Sequence, residues 1–195
     1  MSCRKEGKKM RFVGIDPSTK TGFVALDESG QVIRAKELTG VGSEDPRRMI
    51  TLIDEIIAHV KPGDLICIEG FPYDTQRAMF AGGLHHGIRN ELFKRKLHYH
   101  EVAPNAVKKF VGVTGWVGEK GSKKRLTGPQ KKKVVMTAVK EHYGFEHKSD
   151  NVVDAFILAQ IAQEIWMEKN VYRFLLGHQA EVIQAILQPT KKKAK

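Results

Sequence analysis

The sequence predicts an α/β fold: a mixed five-stranded sheet, made of a three-strand antiparallel meander plus two parallel strands, flanked by helices. Three observations predict it. Near the start, three short apolar segments follow one another with only tight turns between them. Two further strand-like segments then alternate with helical ones, the order that builds parallel pairs. The chain has 195 residues, 41% hydrophobic and 28% charged, which suits one globular domain able to bury its own core.

The first strand is Arg11 to Asp16, apolar and β-branched, closed by the turn cluster Pro17-Ser18-Thr19-Lys20. Thr21 to Leu26 is the second strand. The turn Asp27-Glu28-Ser29-Gly30 leads to the third, Gln31 to Leu38, with an alternating pattern. A helix follows, with Ser43 or Asp45 as cap and Pro46 in its first turn. Its apolar stripe is Met49, Ile50, Leu52, Ile53, Ile56, Ile57 and Val60, and Pro62-Gly63 stops it. Leu65 to Ile68 is an unbroken apolar run of the kind buried on both faces, ending at Glu69-Gly70. Then come a helix over about 75–96, a strand over 98–102 and a helix from Pro104 to Val111. Gly112 to Pro129 is rich in Gly and Lys and reads as a mobile loop. Helices over 129–143, 149–168 and 171–187 complete the chain, the last an amphipathic addition. Gly82, Gly83 and Gly87 inside the 75–96 helix call for close packing, on the sheet or at a dimer interface.

Several classes are excluded. No apolar run approaches the roughly 20 residues that span a bilayer. No apolar h-region follows the basic N-terminus, so a secretory signal is not expected. Cys3 and Cys67 cannot form a disulfide framework; Cys67, in an apolar run, reads as a reduced core residue of a cytoplasmic protein. There is no G-x-x-x-x-G-K-[ST], so no nucleotide cofactor is implied. His85, His86, His98 and His100 lack the spacing and cysteine partners of a structural zinc site.

The net charge of +11 is localised. Residues 1–11 carry +4, residues 94–133 carry +10 and the tail from Lys191 to Lys195 carries +4, so the rest of the chain is net acidic. Basic patches on an acidic body suit a polyanionic partner, nucleic acid before a membrane surface.

Against that background, certain acids stand out. Asp16 and Glu69 each end a buried strand, and ligand sites of open α/β sheets lie beyond the carboxyl ends of strands. Turn preference alone also accounts for either one. In Ser149 to Ala159, Ser149 can cap a helix and Asp150 suits its first turn through the helix dipole. Asp154 has no such account. It lies a turn deeper among Val152, Val153, Ala155, Phe156 and Ile157, where a carboxylate is costly without a partner. Asp150 and Asp154, four apart, share a helix face, as do Asn151 and Asp154. Converging carboxylates repel unless a hard cation neutralises them. Mg²⁺ takes oxygen ligands, often few from the protein with phosphates as the rest, and a pair of such ions activates water and stabilises the leaving oxygen of a phosphodiester.

These residues carry a resemblance. Gly14 to Ser18 with Thr21-Gly22-Phe23, then Ile68 to Phe71, then Ala103 to Phe110, then Asp150 to Ala159 resemble, in order, the RuvC-type Holliday junction resolvases of the RNase H-like superfamily, most closely their phage and Firmicute branch. The match spans about Met10 to Trp166. It implies an RNase H-like domain over residues 10–168, with a basic extension at 1–9 and a C-terminal helix and tail at 169–195. It also implies a homodimeric, Mg²⁺- or Mn²⁺-dependent endonuclease that nicks two strands of a four-way DNA junction. The implied catalytic metal ligands are Asp16, Glu69 and Asp154. The family's remaining acid stands three before the last one, where this chain has Asn151; Asp150, four before, is the favoured ligand, and Asn151 the alternative. A family lysine near the start of the penultimate helix matches Lys132 best among Lys131, Lys132 and Lys133.

Lys108, Lys109, Lys120, Lys123, Lys124, Arg125, Lys131 and Lys133 are candidates for phosphate contacts. Phe71 and Tyr73 could stack on an unpaired base, or Phe71 could belong to the core. The rival readings are a catalytically silent nucleic-acid-binding protein, a nuclease acting on forks, flaps and gaps, and a non-nucleolytic member of the superfamily.

Overall fold

The computed structural model describes residues 10–71, 78–119, 122–170 and 175–189. Five strands form the main sheet: β1 (Phe12–Asp16), β2 (Thr21–Leu26), β3 (Val32–Leu38), β4 (Leu65–Glu69) and β5 (Tyr99–Val102). Their spatial order is β3-β2-β1-β4-β5. β1 pairs antiparallel with β2, and β2 with β3. β4 runs parallel to β1 on one side and to β5 on the other. The meander and the parallel pair are therefore as expected from the sequence.

Side-chain parity divides the interior into two cores. Phe12, Val24, Leu26 and Cys67 point to one face of the sheet, and Val13, Ile15, Phe23, Ile66 and Ile68 to the other. The second face is covered by α1 (Arg47–His59) and α2 (Ala78–Lys94). The first is covered by α5 (Asp150–Asn170), with α3 (Pro104–Phe110), α4 (Gly128–Tyr143) and α6 (Gly177–Leu187) packed around it. α5 is buried nearly all round, because it lies between the sheet and these helices. Two glycines let it lie there. A Cβ on Gly14 would sit 1.9 Å from the Ala155 carbonyl oxygen, and one on Gly22 would sit 1.9 Å from that of Asn151.

Arg11 is not free for a polyanion. Its guanidinium donates to both Asp64 oxygens at 2.9 and 2.6 Å and to the His59 carbonyl, clamping the start of β1 to the turn before β4. Among the described residues, no helix is long and apolar enough to cross a membrane.

Six local expectations need correcting. Neither Ser43 nor Asp45 caps α1; Pro46 holds the N-cap position without a side-chain bond, and Ile50 of the apolar stripe is exposed. β3 does not alternate in burial, because it is the edge strand of the sheet and the helices cover it only in part; Ala35 packs against the core and only Leu38 at its end is buried. The Ser149 hydroxyl makes no hydrogen bond among the described residues, so it does not cap α5. The stretch 112–129 contains a small hairpin, β6 (Trp116–Val117) paired antiparallel with β7 (Lys124–Arg125). The last helix is shorter than expected, since α5 continues to Asn170 and α6 begins at Gly177. α6 packs on the core through Val182 and Ile183. In α2, a Cβ on Gly87 would meet Ile53 at 2.3 Å and one on Gly83 would meet Met49 at 3.1 Å, so these glycines fit α2 against α1 of the same chain.

Candidate active site

Parity also aims the acids. Asp16 shares the face of Phe12 and Gly14, and Glu69 shares that of Cys67, so both turn toward α5 at the carboxyl ends of two adjacent parallel strands. The close approach of α5 at Gly14 and Gly22 brings its first turns over the same ends, and with them Asp154, the neighbour of Ala155. Three residues remote in sequence thus meet at one place.

The electrostatics record the meeting. Asp16 is buried, and burial first, then repulsion from Glu69 and Asp154, drives its carboxyl well above the usual range. Asp16 and Glu69 hydrogen bond to each other, the arrangement two crowded acids adopt by sharing a proton. Burial raises Glu69 as well. Asp154 is pushed up to about 7, again by burial first, with Glu69 and Asp150 adding to it. Lys108 on α3 opposes the shift in all three, so its ammonium lies close to the cluster.

Asp150 sits at the rim, where it forms an ion pair with Lys132 of α4. That contact raises the Lys132 ammonium and is the one that separates Lys132 from its neighbours. The Asn151 amide nitrogen donates to the Lys20 carbonyl at 2.7 Å, tying α5 to the β1–β2 turn. Lys109 pairs with Glu181 of α6.

Beside the cluster lies a groove of about 610 Å³, lined by Lys108, Lys109, Arg125, Lys131, Lys132 and Trp116 among others. Lys133 lines a separate cleft on the other side of α4, together with Met136 and Phe145. Lys124 on β7 and Lys123 just before it are exposed. Phe71 is half-buried and meets His85 edge to face, with ring centroids 5.7 Å apart. Tyr73 and Lys120 lie outside the described residues, as do the extension 1–9 and the tail from residue 190.

All the converging donors are hard oxygens, the kind Mg²⁺ or Mn²⁺ takes. No three His, Cys, Asp or Glu side chains among the described residues are gathered into a finished metal cage. Asp16 and Glu69 instead lie within hydrogen-bond distance of each other, and crowding and burial raise both carboxyls. The donor set therefore fits a divalent ion in its chemistry, with phosphate oxygens and water completing the coordination.

Among solved structures, Thermus thermophilus RuvC in complex with Holliday junction substrate superimposes with a TM-score of 0.54 at 14% identity, over 82% of this chain and 95% of that one. A second T. thermophilus RuvC structure gives 0.56 at 13% identity, over 82% and 96%. The fold is the RNase H-like fold of RuvC. No protein-family model matches the chain, and no curated protein matches it. Sequence reasoning missed Trp116, which belongs to the hairpin read as a loop, and the closeness of Lys108 to the acids. The signal for Lys108 was available, since it lies one helical turn from Pro104, where α3 leaves β5 beside Glu69.

Proposed function

We propose that the protein is a metal-dependent endodeoxyribonuclease that resolves four-way DNA junctions by symmetric phosphodiester hydrolysis. The observation that supports this most is the meeting of Asp16, which is buried, with the half-buried Glu69 and Asp154, beside a groove with five cations in its lining. Asp16, Glu69, Asp154 and Asp150 are the proposed ligands of Mg²⁺ or Mn²⁺. When bound, such ions activate water for in-line attack and stabilise the leaving oxygen.

The chain's own residues do the rest. Lys108 and Lys132 bring positive charge to the place where a phosphate would sit, and Asp150 holds Lys132 at the rim. Lys131 and Arg125 contact the strand's backbone, with Lys123 and Lys124 at the edge of the groove; such contacts position DNA without reading sequence. Asn151 is a scaffold residue in this reading, because its amide is engaged with Lys20. The acting form is a homodimer, which supplies two sites for two nicks, and its setting is the cytoplasm. Membership of the phage and Firmicute branch rests on the four sequence motifs.

One observation favours a second reading, a nucleic-acid-binding protein without catalysis: Asp16 and Glu69 satisfy each other. A cleavage assay decides. Labelled four-way junction, fork and linear duplex are incubated with Mg²⁺ and, separately, with chelator. The expected result is paired nicks in the junction with Mg²⁺ only, abolished by Asp154→Asn while junction binding persists. Binding with no metal-dependent nicking would establish the silent binder, and equal cutting of forks would widen the substrate class.

A further inference from the structure

The exposed indole of Trp116 is not explained by the fold. It is 54% exposed on a strand of two residues, whereas the other tryptophan, Trp166, packs on Phe12 with centroids 6.0 Å apart. A large aromatic left in water costs free energy unless something covers it in use. The hairpin that carries it is held in place. The Leu126 N–H donates to the Gly115 carbonyl at 2.9 Å, the Thr114 hydroxyl donates to the Trp116 carbonyl at 3.0 Å, and the Thr127 N–H donates to the Gln130 side chain where α4 begins. Arg125 lies directly across the hairpin from Trp116.

Trp116 therefore lines a groove together with Lys108, Lys109, Arg125, Lys131 and Lys132, and no carboxylate is among the lining residues, although Lys109 and Lys132 pair with Glu181 and Asp150 outside it. Two of those cations, Lys108 and Lys132, are the ones that reach the acids. A flat π-face in one groove with ammonium and guanidinium groups matches one ligand chemistry: a nucleotide whose base has left its stack, with the indole covering the base and the cations meeting its phosphates. A paired duplex offers no free base face. Phe71 is already engaged edge to face with His85, so the two aromatics occupy different surroundings.

We infer that Trp116 is a stacking platform for an unpaired base in the groove beside the acids, which gives the protein a preference for DNA with single-stranded character. This deepens the nuclease reading and rests on it, but its test needs no cleavage. The chain has two tryptophans, so Trp166→Phe leaves Trp116 as the sole reporter. In chelator, a fifteen-residue oligothymidylate is expected to quench that fluorescence, while an abasic strand of equal length and charge binds without quenching. Equal quenching by the abasic strand, or quenching by a poly-glutamate peptide and not by DNA, would overturn the inference.

A second measurement keeps the native Trp166. Anisotropy of a labelled oligothymidylate is expected to show about tenfold weaker binding for Trp116→Ala, with most of the affinity restored in Trp116→Phe and little change for blunt duplex. Unchanged single-strand affinity in Trp116→Ala overturns the proposal even if junctions are nicked. Quenching without any nicking leaves it standing while the nuclease reading falls.

Discussion

His85 is a titratable ring enclosed by its own fold. It is buried on α2 against Phe71, and neither ring nitrogen has a hydrogen-bond partner among the described residues. Burial, helped by Arg89 and His86, lowers it to about 4. The folded chain thus binds fewer protons there than the unfolded chain. The stabilisation is complete above the ordinary value near 6.5 and is lost as pH falls toward 4. Between pH 7.5 and 5 this one residue is expected to account for about 2 kcal/mol of lost stability. Urea unfolding of the wild type and of His85→Phe at both pH values checks it: the variant should lose less on acidification. At this scale the acids were legible in the sequence, because Asp16 and Glu69 end apolar strands and Asp154 has no capping role. The role of Asn151 was not, since its partner is a carbonyl at residue 20 that only the folded chain brings near.

At the scale of elements, the seating of α5 decides whether the acids meet. Gly14 leaves no room for a methyl group, because the atom it would strike is helix backbone rather than the end of a flexible side chain. Gly14→Ala is expected to cost about 3 kcal/mol or more, and to separate Asp154 from Asp16. Gly128, with nothing within 4 Å of an added Cβ at the start of α4, is the control: Gly128→Ala should leave stability unchanged or raise it by about 0.5 kcal/mol. Thermal unfolding of both variants tests the contrast. The strands and helices themselves could be read from periodicity and turn residues. The edge position of β3 and the hairpin at 116–125 could not. Burial of a strand depends on which neighbours flank it, and a pairing of two residues on each side leaves too short a pattern to detect.

For the whole molecule, the outer face of α2 matters most. Met79 is 93% exposed and Phe93 82%, fourteen residues apart and so on nearly the same side of the helix, with His86 and Asn90 exposed between them. This face is where the proposed homodimer would form. Light scattering should report twice the chain mass for the wild type and the single-chain mass for Met79→Lys combined with Phe93→Glu, with helix content unchanged. A wild type of single-chain mass at micromolar concentration would remove the dimer from the proposal.

Because β1, β4 and α5 each contribute one acid, no single element holds the set, and Asp16 and Asp154 come together only when the start and the end of the sheet-and-helix core have docked. A half-made or partly melted copy therefore has separated, ordinary carboxylates. Any chemistry that needs all three acids is confined to fully folded molecules.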